Sequence, residues 1–94
     1  MFDVKIDSKG EVQLFGRFDA SQVEKAKAVF DSLEKSCTVN FKELEYISSA
    51  GLSVLLATQK RLNESDQKLK LINLNKYIGD VFRYAGFDTI FEIE

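Results

Sequence analysis

Tyr46-Ile47-Ser48-Ser49-Ala50-Gly51-Leu52 joins an apolar, strand-like run to a strongly apolar helical run and puts two hydroxyls at the junction. The first turn of a helix has backbone N–H groups without intrahelical acceptors, and its dipole end is positive. A serine there stands where an anionic phosphate would be well received. The same position suits a plain N-cap, because a serine oxygen accepts readily from a first-turn N–H. Local sequence leaves both roles open for Ser48 and Ser49. No other part of the chain offers comparable chemistry.

Working outward, Thr38, Val39 and Phe41 predict a short apolar strand, with Lys42-Glu43-Leu44-Glu45 looping from it towards the serines. Beyond them Leu52, Val54, Leu55, Leu56, Ala57 and Leu62 cover more than one helical face, as in a helix largely buried against a sheet. Gln59, Lys60, Arg61 and Asn63 make its far end polar, and the basic residues suit the negative end of the dipole. Leu69 and Leu71 predict the next strand, with Ile72 on its opposite face and Leu74 a candidate extension.

The N-terminal third alternates. Phe2, Val4 and Ile6 interleave with Asp3, Lys5 and Asp7, the period of a half-buried strand. Ser8-Lys9-Gly10 is a turn, Val12, Leu14 and Phe15 form a second strand, and the short connection implies an antiparallel hairpin. Asp19 with Gln22, or Ser21 with Glu24, has capping-box spacing for a helix bearing Val23, Ala26, Phe30 and Leu33 and running to about Lys35. Near the other end Asn75 is a candidate cap for a helix with Ile78, Val81, Phe82 and Ala85 at i, i+3, i+4 and i+7. Gly86-Phe87 resembles a left-handed C-terminal stop, and Phe91 and Ile93 suit a last short strand. Strand, strand, helix, strand, helix, strand, helix argues for an α/β domain: a parallel core with an antiparallel N-terminal edge.

Composition narrows the chemistry. The 94 residues are 45% hydrophobic, enough for one domain with a real core. Thirteen basic residues against 15 acidic give a net charge of −2, unlike the basic footprint of a nucleic-acid binder. There is no His and one Cys, which removes the commonest general base, the usual zinc spacings and a Cys–His nucleophile. Cys37 reads as a small residue at a strand start. One cysteine, no evident signal peptide and no long apolar run predict a soluble cytoplasmic chain. An enzyme, a metal site or a bound cofactor is not expected.

Three landmarks resemble a known family in order and spacing. They are Gly16-Arg17-Phe18-Asp19, then Val39-Asn40-Phe41 leading through Leu44 and Tyr46-Ile47 to Ser48-Ser49-Ala50-Gly51-Leu52, and finally Ala85-Gly86-Phe87-Asp88 with Ile90-Phe91. Together they resemble the STAS domain of bacterial anti-sigma factor antagonists, across residues 1–94 as one domain. The resemblance implies a mixed sheet of four or five strands with helices mainly on one side, in a monomer.

It also implies a switch. Ser49 would be phosphorylated by an anti-sigma factor that is itself a serine kinase, and a PP2C-type phosphatase would remove the phosphate. The unmodified protein would bind the anti-sigma factor and free a sigma factor, with no direct role for nucleic acid or membrane insertion. Asp19, Ser48, Ser49 and Ser53 are the expected partner-facing residues. Two positions depart from the family pattern: Ser48 and Asn40 each stand where the family has Asp. That makes the entrance to the helix less acidic and Ser48 a rival acceptor. STAS-like domains also resemble stress-signalling scaffolds and small subunits of lipid-transport ATP-binding-cassette complexes. A subunit of that kind docks permanently and needs no modifiable serine.

Overall fold

The computed structural model describes residues 1–94. Apolar residues alternating with polar ones build β1 (Phe2–Ile6) and β2 (Val12–Phe18), antiparallel with Phe2 opposite Gly16 and Ile6 opposite Val12. Gly16 has φ +82°, and a Cβ there would sit 1.9 Å from the Met1 carbonyl oxygen, so only glycine fits. Three parallel strands follow: β3 (Cys37–Ile47), β4 (Leu69–Ile72) and β5 (Glu92–Ile93). Their order in the sheet is their order in the chain. Each crossover therefore steps the same way. With right-handed connections, α1 (Val23–Phe30), α2 (Ser49–Asn63) and α3 (Lys76–Tyr84) all fall on one face. The expected mixed sheet has five strands.

The core lies between that face and the helices. Val12, Leu14, Phe18, Val39, Phe41, Leu44 and Leu71 point into it from the strands. Ala26, Phe30, Leu55, Leu62, Ile78 and Phe82 meet them from the helices. Phe82 packs edge-on against Phe41 and Phe91, with centroids 5.8 and 5.7 Å away, which ties α3 and the C-terminal segment to β3. Asn75 caps α3 as its sequence predicts, its Oδ1 accepting from the Ile78 N–H at 2.8 Å. Gly86, at φ +76°, follows the end of α3 in the left-handed conformation.

Four local readings are corrected. Lys42–Glu45 is not a loop, because β3 continues to Ile47. Two irregularities hide it: Gln13 to Phe15 of β2 spans Asn40 to Glu43 of β3, and Gly16 to Arg17 spans Leu44 to Tyr46. Each puts one extra residue into β3, so Leu44 and Ile47 both face the core although they break a period of two.

The first helix stops at Phe30, not near Lys35. The Arg61 guanidinium reaches over from α2 and donates to the Phe30 and Leu33 carbonyls at 2.9 and 2.8 Å, satisfying acceptors that a longer helix would have used. Neither predicted capping box forms. Asp19 caps a 3₁₀ turn over Ala20–Gln22, and Gln22, which precedes α1, makes no capping bond.

The polar end of α2 is also not wholly wet. Gln59 is buried; its Oε1 accepts from the Leu69 N–H at 2.8 Å and its Nε2 donates to the Ile90 carbonyl at 3.4 Å. A side chain that reads as solvent-facing by type thus fixes the start of β4 and the C-terminal segment.

Candidate functional site

The C-terminal ends of the parallel strands gather the predicted residues. Phe18 at the end of β2 is paired with Ile47 at the end of β3, and the Ser48 N–H donates to the Phe18 carbonyl at 2.9 Å. The chain segments carrying Asp19 and Ser48 therefore leave the sheet side by side. Gly51 seats α2 directly on this edge: a Cβ there would lie 2.9 Å from Ile47 Cγ1 and 3.1 Å from the Phe18 ring.

The two serines have different jobs. Ser48 is extended (φ −87°, ψ 170°) and is the N-cap of α2, its Oγ accepting from the Gly51 N–H at 3.1 Å. Its carbonyl takes the Leu52 N–H at 2.9 Å. Ser48 is half-buried and its hydroxyl is committed. Ser49 is the first residue of the helix, is exposed, and its hydroxyl has no partner within the chain. By helix geometry the N–H groups of Ser49 and Ala50 have no intrahelical acceptor. An anion on Ser49 would thus meet free donors and the positive dipole end.

Ser53 lies one turn on, exposed, its Oγ donating to the Ser49 carbonyl at 3.0 Å. It borders a groove of about 530 Å³ between α1 and α2, lined in part by Val23, Lys27, Ala50, Val54 and Ala57. Asp19 accepts from the Ser21 N–H at 3.0 Å and from the Ser21 hydroxyl at 2.5 Å. The Ser21 hydroxyl foremost, then the Ser21 N–H, Arg17 and the N-terminal amine, hold its carboxyl below the usual range against the opposing cost of desolvation.

Asn40 does not belong to this entrance. It sits on the uncovered face of the sheet, seven residues before Ile47, roughly 20 Å away at the rise of a strand. Its amide donates to Glu11 and its Oδ1 accepts from the Lys42 N–H and from Asn73. A carboxylate in its place would face Glu11, so the local network accounts for the amide.

A family profile described as "Mlab, STAS domain" matches residues 3–92. The chain belongs to the STAS domain family. Among curated relatives of this STAS domain is BtrV of Bordetella bronchiseptica, which its name assigns to the anti-sigma factor antagonists. It is 36% identical over 76 residues, covering 80% of this chain and 66% of that protein. The anti-sigma-B factor antagonist of Staphylococcus aureus is 26% identical over 87 residues, covering 88% of this chain and 81% of its own. The STAS domain spans about two thirds of the length of BtrV.

Solved structures share the fold. The Bacillus cell fate determinant SpoIIAA in its phosphorylated form superposes with a TM-score of 0.72 at 20% identity, covering 100% of this chain and 91% of the other. An anti-sigma factor antagonist from Mycobacterium paratuberculosis superposes with a TM-score of 0.82 at 17% identity, covering 99% and 83%.

One cluster at this end of the STAS domain is absent from the sequence reading. Arg17 and Tyr46 are paired in register near the ends of β2 and β3, two residues before Asp19 and Ser48 respectively. The Arg17 guanidinium lies 4.4 Å from the Tyr46 ring centroid. Tyr77, in the first turn of α3, stacks with Tyr46, the ring centroids 6.4 Å apart and the planes inclined by 19°. No local signal places Arg17 beside Tyr46, because the extra residues in β3 break the parity there, and nothing local points to Tyr77. No helix of the chain is long and apolar enough to cross a membrane.

Proposed function

We propose that this STAS domain is an anti-sigma factor antagonist of the partner-switching kind, with Ser49 as its phosphoacceptor. One observation carries the reading. Of two adjacent serines at the start of α2, Ser48 is committed to the cap while Ser49 is exposed and unbonded. The names of relatives such as the Staphylococcus aureus antagonist support the general activity.

Unphosphorylated, the chain binds an anti-sigma factor kinase through Asp19, Ser48, Ser49 and Ser53, and a sigma factor is released. The domain acts by binding, as a monomer in the cytoplasm, and performs no chemistry itself. Phosphate on Ser49 adds about −1.5 to −2 charges at the same end of the sheet as Asp19, whose carboxyl is held below its usual range. Inside an interface that charge opposes docking by repulsion and desolvation, whereas the helix start tolerates it. A PP2C-type phosphatase restores the binding form. Ser48 caps as well as an aspartate would, so replacing the family Asp preserves the helix start while removing one negative charge.

The test is incubation with the cognate anti-sigma factor kinase and ATP, followed by mass spectrometry of the intact chain and its peptides. Modification at Ser49 supports the switch; an unmodified chain that still binds a partner refutes it.

A second reading, a permanently docked STAS subunit of a lipid-transport complex or signalling scaffold, is equally compatible with the STAS family match and needs no modifiable serine. Stable co-purification with an ATPase subunit, insensitive to ATP and to substitution of Ser49, would favour it.

A further inference from the structure

The chain has three arginines, and two are spent internally. Arg61 holds the end of α1 through the Phe30 and Leu33 carbonyls, and Arg83 pairs with Asp80. Arg17 differs: it is exposed and forms no ion pair, and it rests on the π-face of Tyr46. Stacking orients the guanidinium plane and leaves its edge of N–H donors free, a geometry matched to a carboxylate that can accept two parallel bonds.

The surroundings suit an interface. Tyr77 is 53% exposed although it is large and stacked, and Arg, Tyr and Trp are the residues most enriched at binding hot spots. Arg17 and Tyr46 immediately precede the segments that carry Asp19 and the two serines, so this patch continues the surface around Ser49 across the strand ends. Asp19, two residues on, is occupied by Ser21 and forms no ion pair with Arg17. Arg17 is thus a pre-oriented cation with no acceptor of its own.

We propose that Arg17 is the docking point for a carboxylate of the anti-sigma factor kinase, with Tyr46 and Tyr77 as the stacked platform beside it. This rests on the partner assigned above and adds the chemistry the partner must present: an aspartate or glutamate flanked by apolar surface, opposite the ends of β2 and β3. The pair would serve the unphosphorylated, binding form.

The experiment measures equilibrium binding of the unphosphorylated chain to the cognate anti-sigma factor kinase, at several salt concentrations, for wild type, Arg17→Gln, Arg17→Lys, Tyr77→Ala and Ser49→Asp. Arg17→Gln is expected to weaken binding by about tenfold or more and to flatten its salt dependence, with a melting temperature close to wild type. Arg17→Lys keeps the charge but loses the planar fork, and is expected to recover less than half of that loss. Tyr77→Ala is expected to weaken binding by a smaller factor.

Arg17→Gln binding within about twofold of wild type, while Ser49→Asp still weakens it, would overturn the docking point and leave the switch standing. Weakening by Arg17→Gln with Ser49→Asp binding as wild type would support the docking point and sink the switch. With wild type and Arg17→Gln also measured after phosphorylation by the kinase, an Arg17→Gln effect confined to the phosphorylated chain would overturn the proposal in favour of a guanidinium that holds the phosphoserine. No binding by wild type would overturn both readings.

Discussion

The Ser48 N–H donates to the Phe18 carbonyl at 2.9 Å. Through this one bond the parallel pairing of β2 and β3 is carried beyond the last core pair, Phe18 and Ile47, into the segments that hold the candidate site. Position at the site is therefore set by the sheet, and the two serines differ because only one of them faces back into that junction.

That difference separates the serines by stability. Ser48→Ala removes the acceptor of the Gly51 N–H and should cost about 1 kcal/mol. Ser49→Ala touches no bond within the chain and should stay within about 0.5 kcal/mol of wild type. Urea midpoints at constant m-value check both. Equal losses would contradict the assigned cap.

Gly51→Ala tests how closely α2 is seated. Helix propensity alone favours alanine by roughly 1 kcal/mol. The added Cβ meets Ile47 at 2.9 Å and the Phe18 ring at 3.1 Å, and such overpacking costs about 1–3 kcal/mol. The expected net result is a loss near 1 kcal/mol, with the first turn of α2 displaced and Ser49 phosphorylated more slowly. A stabilised variant would show that α2 stands off the sheet.

Gln59→Leu should cost about 1–3 kcal/mol despite adding apolar surface, because it leaves the buried Leu69 N–H without an acceptor. Hydrogen exchange should quicken at Leu69 more than at Leu55. Unchanged stability would mean that Gln59 is not the clamp between α2 and β4.

These residues show what was legible. The alternation in β1 and β2, the helical spacing of Ile78, Val81 and Phe82, and the caps at Ser48 and Asn75 follow local rules, and each element forms where its pattern lies. The second half of β3 was not legible, since two extra residues destroy the period that marks a strand. The early end of α1 depends on Arg61, 31 residues beyond Phe30 in the chain. Gln59 is read as wet by residue type, and only tertiary packing buries it. The Arg17–Tyr46–Tyr77 stack unites three elements that no sequence window contains.

Asp19 gives a pH test with a definite sign. Its folded pKa is depressed, chiefly by the Ser21 hydroxyl, so its contribution is present above the unfolded value and lost as pH falls through the folded one. Asn retains capping ability without the charge. Wild type should melt above Asp19→Asn at pH 7, and the difference should close as pH falls below the usual carboxylate range through the depressed folded pKa. At neutral pH the variant should also bind the anti-sigma factor kinase more weakly. A gap that widens in acid would contradict the assignment.

The central claim is that Ser49, not Ser48, carries the phosphate, and intact-mass and peptide mass spectrometry after incubation with the cognate anti-sigma factor kinase and ATP tests it most directly. Wild type and Ser48→Ala should each take up one phosphate, localised to Ser49, and Ser49→Ala should take up none. Phosphate retained in Ser49→Ala but lost in Ser48→Ala would move the acceptor to the cap, and a wild-type chain left unmodified would contradict the switch altogether.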